Sequence, residues 1–282
     1  MLREKVIGFI GAGSMAEAMI SGIVASEIIP AHNVVVSNRS NIDRLIELEN
    51  KYGIRGVMKQ DLIMEELDII VLAMKPKDIE IALATLKDQL NPSQLLLSVL
   101  AGVSTSYMED GLNPGQPVIR VMPNTSSMIG ESATAISAGK HVAMDDIVDT
   151  KVILETIGKV YTIEEEQMDV FTGVAGSGPA YFYYLMEHME RTAKEAGLDE
   201  EVTRDVVAQT ILGAAKMMQT NNEEPSTLRK KVTSPNGTTA AGLEALSDNG
   251  GGKAISAAIK GAAERSREIS AEKEKEKELV LQ

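Results

Sequence analysis

The residues with the clearest chemical potential lie in Lys230–Gly242, where Ser234-Pro-Asn-Gly237 reads as a tight turn running into Thr238, Thr239 and a helix-forming segment. Pro235 pre-sets the first turn position, and Asn236 or Gly237 can take the positive φ that follows. Backbone N–H groups at such a turn and helix start point outward unpaired, which makes a small site for a carboxylate. Near the other end of the chain, Gly11-Ala-Gly-Ser-Met-Ala16 sits between a short apolar run and an apolar helical segment. This is the spacing that cradles a dinucleotide pyrophosphate: Gly11 for the tight turn, Gly13 for close approach to the backbone, Ala16 for helix-on-strand packing. A carboxylate pocket together with a nicotinamide site suggests a reductase acting on a small acid.

Gly11, Gly13, Ser14 and Met15 are therefore read as cofactor-binding. The second apolar run ends Val36-Ser37-Asn38-Arg39-Ser40 and lacks the acidic residue that would hold a free ribose 2′-hydroxyl. Asn38, Arg39 and Ser40 instead offer a cation and polar donors suited to a 2′-phosphate, so NADPH is expected over NADH. The other reading of Arg39 is a solvent-exposed loop arginine. Ala73, Lys75 and Pro76 follow another apolar run, and Asn124 follows Val118–Met122, so these loops should border the nicotinamide. Lys75 as a surface lysine and Asn124 as a turn residue are the alternatives.

The elements that must carry these residues divide the chain into two. Val6–Ile10, Val34–Val36, Ile69–Met74, Leu95–Leu100 and Val118–Met122 are continuously apolar, as expected of strands covered on both faces. Helix-length stretches separate them, which predicts βαβ units in an α/β, Rossmann-type doubly wound sheet over residues 1–162. Ser132–Ser137 is a further candidate strand and Asp145–Ile157 a further candidate helix. After Thr162 the strand signal stops, and residues 163–282 read as an all-helical portion. Ser177-Gly-Pro179 opens a long helix to about Ala196, Gly197 stops it, and a second helix runs from about Asp199 to Gln219. Tyr181, Phe182, Tyr184, Leu185, Met186 and Met189 of the first, and Val202, Val206, Val207, Ile211, Ala214, Ala215, Met217 and Met218 of the second, cover more than one stripe. Helices apolar on several sides need burial on several sides, so they are read as a subunit interface. An unusually apolar monomeric bundle is the competing reading.

Composition narrows the class. The 282 residues carry a formal net charge of −13, which argues against a nucleic-acid or anionic-membrane partner. No apolar run approaches the roughly 18 residues that span a bilayer, and the absence of cysteine removes disulfide and thiol chemistry. Cytoplasmic residence is expected. The run Glu272–Glu278 reads as a solvated helix end. His32, His141 and His188 have no evident carboxylate partner for a proton relay, and no metal-binding spacing is present. A reductase without an obvious acid–base residue suits a substrate that already carries its proton, such as a protonated imine. The β-hydroxyacid dehydrogenases, which also join a dinucleotide sheet to helices, place a catalytic lysine early in the long helix; here Phe182 stands there.

Val174-Ala-Gly-Ser-Gly-Pro-Ala-Tyr181 and Val232-Thr-Ser-Pro-Asn-Gly-Thr-Thr239 resemble the signature regions of the pyrroline-5-carboxylate reductase family, and Gly11–Ala16, Lys75-Pro76 and Met122-Pro-Asn-Thr125 resemble it in matching order. The resemblance extends to about residue 270. It implies reduction of 1-pyrroline-5-carboxylate to L-proline, with Ser234, Gly237 and Thr238 on the substrate carboxylate and Thr239 as the catalytic hydroxyl beside the ring nitrogen. It also implies a dimer through the helical portion, in some members built into a decamer. Asn236 stands where members usually carry glycine, and Ser126 where many carry proline. Related readings are an NADP-linked reductase of another cyclic imine or hydroxy acid, and a non-catalytic dinucleotide-binding paralogue.

Overall fold

The structure is a computed structural model that describes residues 2–280, with side chains described to residue 275. In chain order the regular elements are β1 (Ile7–Ile10), α1 (Ser14–Ser26), β2 (Val34–Asn38), α2 (Ile42–Tyr52), β3 (Arg55–Met58), β4 (Ile69–Leu72), α3 (Ile79–Lys87), β5 (Leu95–Ser98), α4 (Thr105–Gly111) and β6 (Val118–Met122). There follow β7 (Ser132–Ala138), α5 (Met144–Glu155), β8 (Gly158–Thr162), α6 (Met168–Phe171), a π-helical turn (Thr172–Gly176), α7 (Gly178–Glu195), α8 (Glu200–Thr220), α9 (Pro225–Lys231), α10 (Thr238–Asp248) and α11 (Gly251–Val280). Residues up to Ser177 and those from Gly261 on form one compact unit, and Gly178–Lys260 a second.

The first unit holds one eight-stranded sheet in the order β3-β2-β1-β4-β5-β6-β7-β8. The sheet is parallel except where β7 runs antiparallel to β6. The strand order reverses at β1, which lies between β2 and β4, so the glycine turn after β1 opens at the switch point where such sheets bind ligands. Alternate residues of the strands face opposite layers. Ile7, Phe9, Val34, Val36, Ile69 and Val71 pack with Met19, Ile20 and Ile23 of α1 and with Ile153 and Leu154 of α5. Val35, Ile70, Leu72 and Leu96 pack with Ile79, Leu83 and Leu86 of α3 and with Tyr107 and Met108 of α4. Both faces are covered, which is why these strands are continuously apolar. The candidate strand and helix after residue 130 are present as β7 and α5.

Two strands escape the apolar-run reading, β3 and β8, and both are sheet edges. An edge strand is partly solvated and needs no continuous apolar run, so Arg55-Gly-Val-Met58 and Gly158-Lys-Val-Tyr-Thr162 leave only a weak signal. The segment from residue 163 to the π-turn is helical, yet it clusters with the sheet. Met168 is buried with Met122 and Ala135, and Arg120 of β6 pairs with Glu165 at 2.6 Å.

The second unit is built from α7, α8, α9, α10 and the first residues of α11. Asp199 caps α8 by accepting from the Glu201 and Val202 N–H groups at 3.0 and 3.1 Å. Gly197, at φ +95°, makes the left-handed stop between α7 and α8. Within α7 and α8 the buried positions are Gly178, Thr203 and Val207. Phe182 is 54% exposed, Tyr184 64% and Met218 54%. So much exposed apolar surface on two long helices is the mark of an association face. No helix among the described residues is long and apolar enough to cross a membrane.

Candidate active site

The β1–α1 turn forms one end of the candidate site. Gly11 lies at φ +116°, and a Cβ there would sit 2.5 Å from the Ala73 carbonyl oxygen. Only glycine allows the ends of β1 and β4 to approach this closely. Its N–H donates to the Ser37 carbonyl at 3.0 Å, tying the turn to β2 as well. Gly13 is the N-cap of α1 and offers no side chain to the helix start. The nearest atom to a Cβ on Gly13 would be the Ala73 oxygen at 4.0 Å. The first N–H groups of α1 have no capping side chain, and those of the exposed Ser14 and half-buried Met15 are the ones a pyrophosphate could reach.

A cleft of about 790 Å³ opens beside this turn. It is lined by Gly11, Gly13, Asn38, Arg39, Ser40, Ala73 and Lys75 among the expected cofactor residues. Asn38 shapes its own loop: Oδ1 accepts from the N–H groups of Ser40 and Asn41, both at 3.1 Å. That Asx turn presents Arg39 and Ser40 outward. Lys75 precedes a short 3₁₀ turn whose first residue is Pro76, and the Lys75 carbonyl accepts from Asp78 N–H at 3.0 Å.

Asn124 lies outside the cleft lining. Its Nδ2 donates to the Ala175 carbonyl in the π-turn and its Oδ1 accepts from Ser126 N–H, both at 3.0 Å. Its side chain braces the end of β6 against the π-turn. The cleft also takes in Lys59, Gln60 and Lys77, which the sequence reading did not pick out. The missing signal for Lys59 and Gln60 was β3 itself. Val99 and Leu100, inside the expected strand Leu95–Leu100, lie just beyond β5, between the carboxyl ends of β4 and β6.

The second unit carries the Ser234–Thr239 mouth. The Gly237 N–H donates to the Ser234 carbonyl at 3.1 Å, closing the turn. Asn236 takes the left-handed position at φ +58°, where asparagine is the side chain most tolerant after glycine. Gly237 then caps α10 at φ −85° without a side-chain bond. A Cβ on Gly237 would fall 2.3 Å from Ser234 Oγ. The serine hydroxyl therefore occupies the space in front of the helix start that any larger residue at 237 would fill. With the Gly237 N–H used inside the turn, the free donors are those of Thr238, Thr239 and Ala240 together with Ser234 Oγ. Thr238 and Thr239 are exposed. His188, by contrast, is bound within α7, its Nδ1 2.9 Å from the Tyr184 carbonyl and its ring 4.2 Å from the Tyr184 ring.

A doubly wound sheet with an open glycine turn, followed by helices with a large apolar surface, defines a nicotinamide-dinucleotide oxidoreductase. Residues 165–269 match the family model described as pyrroline-5-carboxylate reductase dimerisation, and residues 6–102 the one described as NADP oxidoreductase coenzyme F420-dependent. The chain is 60% identical over 272 residues to pyrroline-5-carboxylate reductase 1 of Bacillus subtilis, covering 96% of this chain and 92% of that one. It is 34% identical over 264 residues to pyrroline-5-carboxylate reductase of Arabidopsis thaliana, covering 94% and 95%. The crystal structure of Plasmodium falciparum pyrroline carboxylate reductase with NADP bound superposes with a TM-score of 0.86 at 28% identity, over 96% of this chain and all of that one. The chain belongs to the pyrroline-5-carboxylate reductase family.

Proposed function

We propose that the protein reduces 1-pyrroline-5-carboxylate to L-proline with NADPH in preference to NADH. The observation that carries the substrate assignment is the mouth of α10, where an uncapped helix start and Ser234 Oγ converge on one small space. A single carboxylate satisfies those donors, and the positive end of the helix dipole favours its charge. Ser234 and the backbone of Thr238 hold that carboxylate, while Gly237 contributes by leaving the space open. Thr239 offers its hydroxyl to the ring nitrogen as it changes from imine to amine.

Gly11, Gly13 and the first residues of α1 hold the pyrophosphate, and Arg39 with Ser40 takes the 2′-phosphate. Lys75 and the Ala73–Pro76 loop border the nicotinamide, and Asn124 acts by fixing the π-turn. The bound reduced nicotinamide supplies the hydride. The chain's own contribution is orientation and electrostatic stabilisation, which together are sufficient for an imine that arrives protonated. Residues 163–282 supply the substrate site and the association face, and the working form is a dimer, itself a unit for larger assembly. The cytoplasm is the compartment that the cysteine-free, acidic composition fits.

The test is oxidation of NADPH by the purified protein with 1-pyrroline-5-carboxylate, with amino-acid analysis of the product. Stoichiometric L-proline is expected. Oxidation seen only with a different imine or a 2-oxo acid would replace the substrate assignment.

A further inference from the structure

Arg39 has a neighbour of the same charge that comes from a different strand. β2 and β3 are parallel, with Asn38 opposite Met58 at the carboxyl end of the ladder. The residues that follow, Arg39 and Lys59, therefore leave the sheet side by side at one edge. Both are exposed and both line the cleft. Neither is held in an ion pair among the described residues, although Arg44, Lys51 and Arg55 nearby all are. In a chain of net charge −13, two adjacent unpaired cations at a cleft mouth cost repulsion that an anion between them removes. The cleft adds two further cations, Lys75 and Lys77, against one lining carboxylate, Asp78, and Asp61 lies two residues beyond Lys59.

We infer that Lys59 is a second determinant of cofactor choice, closing on the 2′-phosphate from β3 while Arg39 takes it from β2. This rests on the NADPH reading above and extends it: the preference belongs to the register of two strands rather than to one loop. A planar guanidinium and a compact ammonium divide the work, Arg39 binding two phosphate oxygens and Lys59 adding a point charge on the third. The 3₁₀ turn Lys59–Asp61 holds Lys59 at the strand end.

The experiment is calorimetric titration of the full-length protein with 2′,5′-ADP and with 5′-AMP, which differ by the 2′-phosphate alone. The proteins compared are wild type, K59M, K59R and R39M at two salt concentrations. The wild type is expected to favour 2′,5′-ADP strongly. K59M should lose about tenfold of that preference, and its dependence of log affinity on log salt should be shallower by about one ion. K59R should keep most of the preference. A wild type that favours 2′,5′-ADP and a K59M protein with the same preference and the same salt slope overturn the role of Lys59 and leave the NADPH reading standing. A wild type with no preference for 2′,5′-ADP overturns both.

Discussion

Arg44 on α2 donates from Nε to the carbonyl of Ala12 at 3.1 Å, so a residue outside the glycine turn holds the middle of that turn in place. The same guanidinium is paired with Glu17 in the first turn of α1, and Glu17 also accepts from Lys51 Nζ at 2.8 Å and Tyr52 OH at 3.0 Å. Glu17 is buried, 8% exposed as a whole residue. The glycine turn is therefore fixed from outside by an ionic cluster linking α1 to α2.

Arg44→Met should weaken dinucleotide binding without touching a ligand atom. Hydrogen bonds to charged groups are worth about 1.5–3 kcal/mol, so the dissociation constant for NADPH is expected to rise roughly ten- to hundredfold. Because the loss comes through the turn, NADH should suffer equally, whereas Arg39→Ala should penalise NADPH much more than NADH. Fluorescence titration with both cofactors separates the two.

The cluster also sets a pH dependence. Hydrogen bonds from Lys51 and then Arg44 pull the Glu17 pKa from its ordinary 4.5 to about 2. A carboxylate whose folded pKa is depressed stabilises the fold fully above its unfolded value and loses that contribution as pH falls through the folded one. The wild type should therefore exceed Glu17→Gln in stability at neutral pH, and the gap should close between about pH 4.5 and 2. Denaturant unfolding of both proteins across that range measures it. A gap that stays constant to pH 2 contradicts the assignment.

How much of this was readable in the sequence depended on where each residue lay. Central strands announced themselves because burial on both faces demands continuous apolar residues, as in Ile69–Leu72. Edge strand β3 did not, and Lys59 stayed hidden with it. The turn at Ser234–Gly237 was legible as local chemistry, but which residue takes the positive φ was not: both Asn236 and Gly237 permit it, and the structure assigns it to Asn236. Asn124 was found by its position after β6. Its bond to Ala175, 51 residues on, is a tertiary fact that no local pattern encodes.

At the turn, Asn236→Gly should be nearly neutral, within about 1 kcal/mol, because asparagine already tolerates the left-handed region. Asn236→Val should cost about 1–2 kcal/mol, since a β-branched side chain is strained there. Gly237→Ala should displace the Ser234 hydroxyl and raise KM for the substrate, and Ser234→Ala should raise it similarly. Thermal unfolding and steady-state kinetics of the set distinguish backbone strain from loss of the binding space.

Thr239→Val removes a hydroxyl at nearly constant volume. If that hydroxyl bonds the nitrogen more strongly as it becomes an amine, kcat should fall roughly ten- to a few hundredfold, with KM changing less. Full kcat in this variant, with NADPH saturating, would leave Thr239 as a helix-start residue and put the proton source in solvent.

Leu212 on α8 is 46% exposed in the single chain. Leu212→Glu should leave the fold of one chain intact and oppose association, because a charge buried without a partner at an interface is costly. Light scattering should show a dimer or larger assembly for the wild type and a smaller species for the variant. A monomeric wild type would contradict the interface reading.

The central claim is hydride transfer to the carbon of a cyclic imine. It is tested most directly by supplying NADPH deuterated at C4 on each face in turn, with 1-pyrroline-5-carboxylate, and analysing the product by mass spectrometry and NMR. One of the two labelled cofactors should give L-proline carrying one deuterium on the ring CH2 next to nitrogen, not on the carboxylate-bearing carbon, and the other should give unlabelled L-proline. Proline unlabelled with both cofactors, or no proline at all while NADPH is consumed, would contradict the account.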